Sequence, residues 1–335
     1  MKKVLLSAKV PFYKVNLHCH TTVSDGKLTP LEIKEYYKSN GYSAVCFSDH
    51  EVLVDHGDLT DGSFIALKGY EISTNESDGS WGWSHTTKSA HFNLLCKTPD
   101  VDKQVCYNPY AVWGGAASYK DKVKYLGNIC MRVHSDMGLN YIIRQANENG
   151  FLVTYNHPAW SLHTYGDYKN LDGLFAVEVY NSGSVMSGLL ESDAVYDDFL
   201  SQGKRLHCVA ADDNHNHGSA DDPLNASFNG WVCVQAKEFS YNGLIDALTD
   251  GAFYSSTGPQ IEELYADDNG LRIKTSPARQ IIFIGRGRNR QVFAPPIGQA
   301  IREAVCNLKD EYLRAVVIDE YGKKAFTNAY RFDKA

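Results

Sequence analysis

The stretch Lys14-Val15-Asn16-Leu17-His18-Cys19-His20-Thr21-Thr22-Val23-Ser24-Asp25-Gly26, followed by Thr29-Pro30-Leu31-Glu32, decides how the rest of the chain is read. Its first half has strand character, and a period of two sends His18 and His20 to one face and Cys19 to the other. Its second half opens a helix: Thr29 caps, Pro30 fits the first turn, and Glu32 reaches back to complete a capping box. The helix closes at Asn40-Gly41. A strand that carries two imidazoles to its end and then feeds a capped helix is a β/α unit with chemistry at the strand terminus.

The pattern repeats along the chain. Strands are predicted over 14–20, 44–49, 64–72, 90–96, 151–155, 175–180 and 206–211. Helical segments over 139–149 and 189–202 stop at Gly150 and Gly203, the residue type that accepts the left-handed conformation past a helix end. Alternating strands and helices predict an α/β fold, either a β/α barrel or a doubly wound sheet. The pattern fails over 97–133, where Tyr107, Pro109, Tyr110, Trp113, Gly114, Gly115 and Tyr119 mark an irregular insertion, read either as a lid or binding loop or as a packed aromatic segment. After Thr257-Gly258-Pro259 only short strand-like runs remain, at 281–284, 292–293, 312–318 and 325–327. The expected organisation is a barrel over 1–258 and a small β-rich C-terminal domain over 259–335. Its basic run Gly285-Arg286-Gly287-Arg288-Asn289-Arg290 lacks a phosphate-loop spacing and reads as a hairpin turn.

Composition narrows the function. The 335 residues are 43% hydrophobic, enough for a large core, and no apolar run is long enough to span a membrane, so a soluble protein without a membrane partner is expected. The opening Met1-Lys2-Lys3-Val4-Leu5-Leu6-Ser7-Ala8 is too short in its apolar part for a signal peptide and reads as the mature N-terminus. The eight cysteines form no C-x-x-C pair and mostly sit in apolar runs, as buried thiols do, which predicts a cytoplasmic location. A formal charge of −7 argues against an extended nucleic-acid-binding face. An anionic substrate would have to be attracted locally, by bound cations.

Nearly every predicted strand ends in an imidazole or a carboxylate. Beyond His18 and His20 come Asp25, Ser48-Asp49-His50, Gly69-Tyr70-Glu71, His91, Asn156-His157-Pro158 and Asp212-Asp213-Asn214-His215. Each alone has an ordinary reading as a cap, a loop residue or a paired charge. Six histidines and three carboxylates recurring at successive strand ends instead predict a metal cluster. The donors are nitrogen and oxygen only, which suits zinc, manganese or ferrous iron, and nine of them exceed what one closed structural site needs.

These motifs, with the closing Ser256-Thr257-Gly258-Pro259, resemble the PHP (polymerase and histidinol phosphatase) family over roughly residues 14 to 260. The resemblance implies a distorted seven-stranded β/α (TIM-like) barrel with a trinuclear centre. It implies His18, His20, Glu71 and Asp213 as ligands of a first ion, with Glu71 bridging to a second that His91 and His157 complete. Asp25, His50 and His215 would hold the third. His85 is the alternative to His91, and Asp212 to Asp213. An R-x-H segment binds substrate phosphate in some members, and Arg132-Val133-His134 is similar to it.

The expected activity is hydrolysis of a phosphate ester, mono- or diester, in a small molecule or nucleotide. Water shared by two ions is acidified towards neutrality, and the ions offset charge at phosphorus. Glu71 and Asp213 are the expected catalytic ligands, and His134, His217 or a metal-bound water the candidate acids. His56, His163 and His207 read as ordinary loop or strand residues. No G-x-S-x-G element suggests a side-chain nucleophile. Three other readings stand beside this one: a metal-dependent hydrolase of another bond such as an amide, a phosphodiesterase of short oligonucleotides, and a non-catalytic metal-binding module.

Overall fold

The computed structural model describes residues 3–76, 86–219, 221–267 and 270–331. In chain order the elements are β1 (Lys3–Leu6), β2 (Phe12–Asn16), α1 (Pro30–Ser39), β3 (Ala44–Phe47), β4 (Ile65–Asn75), β5 (Ser89–Cys96), α2 (Asp136–Glu148), β6 (Phe151–Tyr155) and α3 (Tyr165–Tyr168). There follow β7 (Ala176–Asn181), α4 (Ser182–Met186), α5 (Asp193–Ser201), β8 (His207–Ala211), β9 (Trp231–Gln235), α6 (Tyr241–Thr249) and β10 (Phe253–Ser256). The remainder is all strand: β11 (Ile261–Asp267), β12 (Gly270–Ala278), β13 (Gln280–Ile284), β14 (Arg290–Phe293), β15 (Ile301–Cys306), β16 (Tyr312–Ile318), β17 (Lys324–Thr327) and β18 (Tyr330–Arg331).

Local chemistry sets the helix limits. The capping box of α1 forms as the sequence predicts, with the Glu32 amide donating to Thr29 Oγ1 at 3.3 Å and the Thr29 amide donating to Glu32 Oε2 at 2.8 Å. α1 then lays Ile33 and Tyr37 over Cys19, Val45 and Phe47. α2 begins three residues before the predicted start because Ser135 caps it, accepting from the Gly138 amide. The basic run after β13 is a hairpin turn, with the Gly285 amide donating to Asn289 O and Gly287 at φ +62.

The fold is mixed α/β. A large sheet runs β14-β13-β16-β17-β10-β9-β2-β3-β4-β5-β6-β7-β8, with β18 added on β16, and a second sheet runs β1-β11-β12-β15. The pairing of β10 with β17 carries the large sheet across residue 258, and β1 joins the sheet of the C-terminal region. Strands β2, β3 and β4 are parallel, as are β6, β7 and β8. β5 is antiparallel to both β4 and β6, so the six parallel strands share one direction and end on one rim. One apolar core takes a side chain from each strand β2 to β10, among them Val15, Cys46, Leu67, Leu95, Leu152, Ala176, Val209, Val232 and Phe253.

The predicted seven-stranded barrel needs correcting. Among the described residues no ladder closes the sheet at β8. Side chains satisfy that edge instead: the Cys208 amide donates to Asn328 Oδ1 at 3.1 Å, the Ala210 amide to Ser255 Oγ at 3.1 Å, and the Asp212 amide to Asn16 Oδ1 at 3.1 Å. Ser255 Oγ returns a bond to Cys208 O at 2.8 Å. Among the described residues backbone pairs directly with backbone past the strand ends, at a bridge between Cys19 and Asn214. Buried amides demand acceptors, and three side chains stand in for the missing strand.

Ser255 and Asn328 are almost completely buried. Ser255→Ala and Asn328→Ala, each leaving an amide of β8 unsatisfied, are therefore expected to lower stability by about 1–3 kcal/mol in urea denaturation. Unchanged midpoints would show that the seam is satisfied some other way.

Candidate metal centre

The rim of the six parallel strands collects the predicted residues. His18 and His20 follow β2, His50 follows β3, Glu71 lies in β4, His157 follows β6 and Asp213 follows β8. His91 comes near the start of β5, which reaches the same rim because that strand runs the other way. The alternation expected at His18-Cys19-His20 continues past the last ladder pair of β2. Cys19 packs with Ile33 and Tyr37, while the two imidazoles approach Nε2 to Nε2 at 3.1 Å. The Asp49 carboxylate fixes the following turn, accepting from the amides and hydroxyls of both Thr21 and Ser24 at 2.7–3.1 Å.

Glu71 is at the centre, 1% exposed. Its carboxylate lies 2.9 Å from His50 Nδ1 and His91 Nδ1, 3.3 Å from His157 Nε2, 3.4 Å from His20 Nε2 and 3.5 Å from His18 Nε2. Asp213 Oδ1 lies 3.1 Å from His20 Nε2 and 3.2 Å from His18 Nε2, and Asp25 Oδ2 lies 3.2 Å from His215 Nε2. Four groups place their donor atoms within 4.8 Å of one another: His20, Asp25, His50 and His215; His18, Glu71 and His157; His18, His20 and Asp213; His50, Glu71 and His91. All nine predicted residues belong to at least one group. His20 joins the Asp25 group as well as the Asp213 group, a sharing the motif spacing did not indicate.

Two alternatives left open by the sequence separate here. Asp212 turns away from the cluster and accepts from the amides of Phe228, Asn229 and Gly230 and from the Tyr37 hydroxyl. Asp213, at φ +52, faces the imidazoles. His91 is in the cluster, whereas His85 lies outside the described residues. His157 at φ +24 and Glu51 at φ +68 are further non-glycine residues in left-handed backbone, a conformation that persists where surrounding bonds over-determine it.

The electrostatics is that of buried carboxylates compensated by imidazoles. Burial raises the Glu71 carboxyl, but His91, His18 and His50 pull it well below the usual range. Asp213 is likewise held low against burial, chiefly by His18 and His20. Burial and the neighbouring His215 and His50 lower His20 to about 4, while at His50 burial is outweighed only by the combined charge and hydrogen bond of Glu71 with the charges of Asp25 and Asp213, which raise it to about 9. Among the described residues neither Glu71 nor Asp213 has a lysine or arginine as an ion-pair partner. Nitrogen and oxygen donors around the buried Glu71 and the largely enclosed Asp213 fit divalent ions such as zinc, manganese or ferrous iron.

The supporting roles of Glu178 and Asn156 escaped the sequence reading. Glu178 Oε1 lies 2.7 Å from His18 Nδ1, and its Oε2 accepts from the His157 amide and Asn181 Nδ2. Asn156 Nδ2 donates to Glu71 Oε1 at 2.7 Å. A lone carboxylate inside the apolar run of β7 was the available signal for Glu178. Such a partner fixes the tautomer and orientation of a ligating histidine.

The assignment of Arg132 and His134 to substrate phosphate is corrected. The Arg132 guanidinium is 2% exposed and bidentate on Glu51, with Nη1 to Oε1 at 3.1 Å and Nη2 to Oε2 at 2.6 Å, and it also donates to Ser73 O. Gln104 Nε2 donates to Glu51 O. Both ends of the insertion thus clamp the turn that carries His50. His134 Nδ1 donates to Thr74 O and is not among the residues lining the cleft, so it is not placed to act as the acid. The cleft itself, about 610 Å³, is lined by cluster residues together with Ser73, Asn75, Trp113, Trp160, Gly183, Ser184 and Ser187.

No family model matches the chain. A 5'-3' exoribonuclease of Haemophilus influenzae is 33% identical over 66 residues, 18% of this chain and 24% of that protein, so the chain spans about a quarter of that relative's length. A structure from Bacteroides vulgatus, described as a two-domain protein containing a predicted PHP-like metal-dependent phosphoesterase, is 13% identical with a TM-score of 0.46 and covers 96% of this chain and 95% of its own. A candidate metal-dependent phosphoesterase from Bifidobacterium adolescentis is 16% identical, TM-score 0.38, covering 63% and 91%. An amidohydrolase from Chromobacterium violaceum, solved with bound sulfate and no metal, is 16% identical, TM-score 0.38, covering 63% and 93%. The description of the Bacteroides protein names the family that the sequence motifs resemble.

Arg132→Ala strands Glu51 as a buried unpaired charge and is expected to cost about 3–5 kcal/mol of stability. Thermal denaturation checks this, and a stable variant with altered substrate affinity alone would restore the phosphate assignment. Glu178→Gln keeps the shape but removes the charge behind His18, so affinity for added manganese should fall roughly 10–100-fold in a titration, with the fold intact.

Proposed function

We propose that the chain is a metal-dependent phosphoesterase of the PHP type, with three divalent ions held by His18, His20, Asp25, His50, Glu71, His91, His157, Asp213 and His215. The observation that carries this reading is the convergence of all nine on one rim, around the buried Glu71 and the largely enclosed Asp213, at a cleft. Bound ions would supply a Lewis acid and water of lowered pKa. Glu71, shared by two donor groups, would fix the spacing between ions. Asp25, Glu71 and Asp213 would offset their charge so that a phosphate could both bind and leave.

Outside the cluster the described lining is neutral. Ser73, Asn75, Ser184 and Ser187 offer hydrogen bonds without charge, and the indoles of Trp113 and Trp160 would limit water. With Arg132 paired to Glu51, the negative charge of a phosphate would be met by the ions. A cleft of about 610 Å³ suits a small phosphorylated compound.

The short match to an exoribonuclease favours a second reading, cleavage of a phosphodiester in a short oligonucleotide. A cleft without lysine or arginine among its described lining residues would not track an extended backbone, so only short substrates fit that reading. Assays with manganese, zinc or ferrous iron on p-nitrophenyl phosphate, bis-p-nitrophenyl phosphate and p-nitroanilides separate mono-, diester and amide hydrolysis. Phosphate-ester hydrolysis that a chelator removes is expected, with Asp213→Asn and His50→Ala folded but reduced to background. Hydrolysis of amides alone, or none with any ion, would reject the proposal.

A further inference from the structure

Trp113 belongs to the insertion, yet it reaches the centre of the candidate site. Its indole lies over His50 with ring centroids 5.3 Å apart and planes tilted by 36°, and half of its surface remains exposed at the cleft. A large apolar ring left open beside a cluster of charges is costly to solvate and is a common mark of a binding surface.

The ring's position is built into the backbone. Gly114 adopts φ +58, a conformation that favours glycine. At Gly115 a Cβ would lie 2.6 Å from Thr22 O and 2.8 Å from Ser24 O, so only glycine lets the chain descend onto the loop after His20. The Gly115 amide then donates to Ser24 O at 2.7 Å, and Ala116 is buried with Val23 and Val52. These contacts hold the indole over His50 before any substrate arrives, which lowers the ordering cost of stacking on it.

We propose that Trp113 is a stacking platform that selects phosphate esters whose leaving group carries a flat unsaturated ring. This deepens the phosphoesterase reading and rests on it. An ester held at the cluster with its leaving group towards Asp25, His50 and His215 meets the exposed half of the indole. The neutral polar lining provides no ion pair for a charged leaving group, and Asp25 repels an anionic one. Trp160, near His91 and His157 at 5.0 Å from each, lies at the other side of the cluster.

The test is calorimetric titration of the manganese-loaded protein with phenyl-, cyclohexyl- and methylphosphonate, which carry the phosphoryl group but cannot be hydrolysed as esters. The wild type should bind phenylphosphonate most tightly. Trp113→Ala should weaken that binding roughly five- to hundredfold, the range of single-ring stacking, and leave methylphosphonate unchanged. Trp113→Leu, which keeps apolar bulk without the flat face, should lose the preference for phenyl over cyclohexyl, and Trp113→Phe should keep part of it. Equal losses for all three ligands, no loss, or no ring preference in the wild type would overturn the proposal. Chelator-sensitive hydrolysis of p-nitrophenyl phosphate by the wild type, measured in parallel, decides the phosphoesterase reading separately, because its activated leaving group reports turnover whether or not the phosphonates show a ring preference.

Discussion

Holding a buried Glu71 and a largely enclosed Asp213 at the rim of a sheet, with imidazoles rather than lysine or arginine as their ion-pair partners among the described residues, is the constraint on which the rest of the molecule depends. A carboxylate removed from water must be paired or bound to a metal, or it takes up a proton. The imidazoles serve while the carboxyls stay ionised, and the same donor atoms lie close enough in four groups to take ions. Holding so many rings around two anions needs rigid support. The parallel strands provide it by ending together, and the antiparallel β5 adds His91 from its opposite end.

Around this centre lies a second set of carboxylates that never faces it. Asp49 pins the loop after His20, Asp212 pins the turn at Phe228 to Gly230, Glu51 holds Arg132, and Glu178 orients His18 and the His157 backbone. Three of them are sequence neighbours of cluster residues. In Asp49-His50-Glu51 and Asp212-Asp213 the direction of successive side chains divides the labour, one towards the cluster and the next towards the loop that keeps it there. Reading composition alone would count all of these acids together, whereas their hydrogen bonds give them opposite roles.

What the sequence revealed was local. Short apolar, β-branched and aromatic runs located the strands that lead to His18 and His157 and those that hold Glu71 and His91 to within a few residues, and Thr29-Pro30-Leu31-Glu32 named the first turn of α1. The spacing of Asp213 and His215 pointed to the aspartate of the pair that faces the imidazoles. What stayed hidden depends on partners far along the chain. Arg132 sits 81 residues from Glu51, and its R-x-H context drew attention to phosphate when the guanidinium serves a buried carboxylate. Ser255 and Asn328 close the edge of β8 with side chains, so a pattern that counts strands predicts a ladder that does not form. α6 and strands β9 and β10 were missed because their buried apolar runs are short, and short runs do not distinguish strand from helix by period.

Everything functional rests on the nine side chains being a ligand set rather than a self-neutralising knot of charges. Elemental analysis of protein purified without chelators, paired with calorimetric titration of the chelated protein, measures this most directly. Close to three divalent ions per chain are expected, with the count falling when a residue of the Asp25, His50 and His215 group is removed. Less than one ion per chain, both as purified and after exposure to manganese, zinc and ferrous iron, would contradict the metal centre.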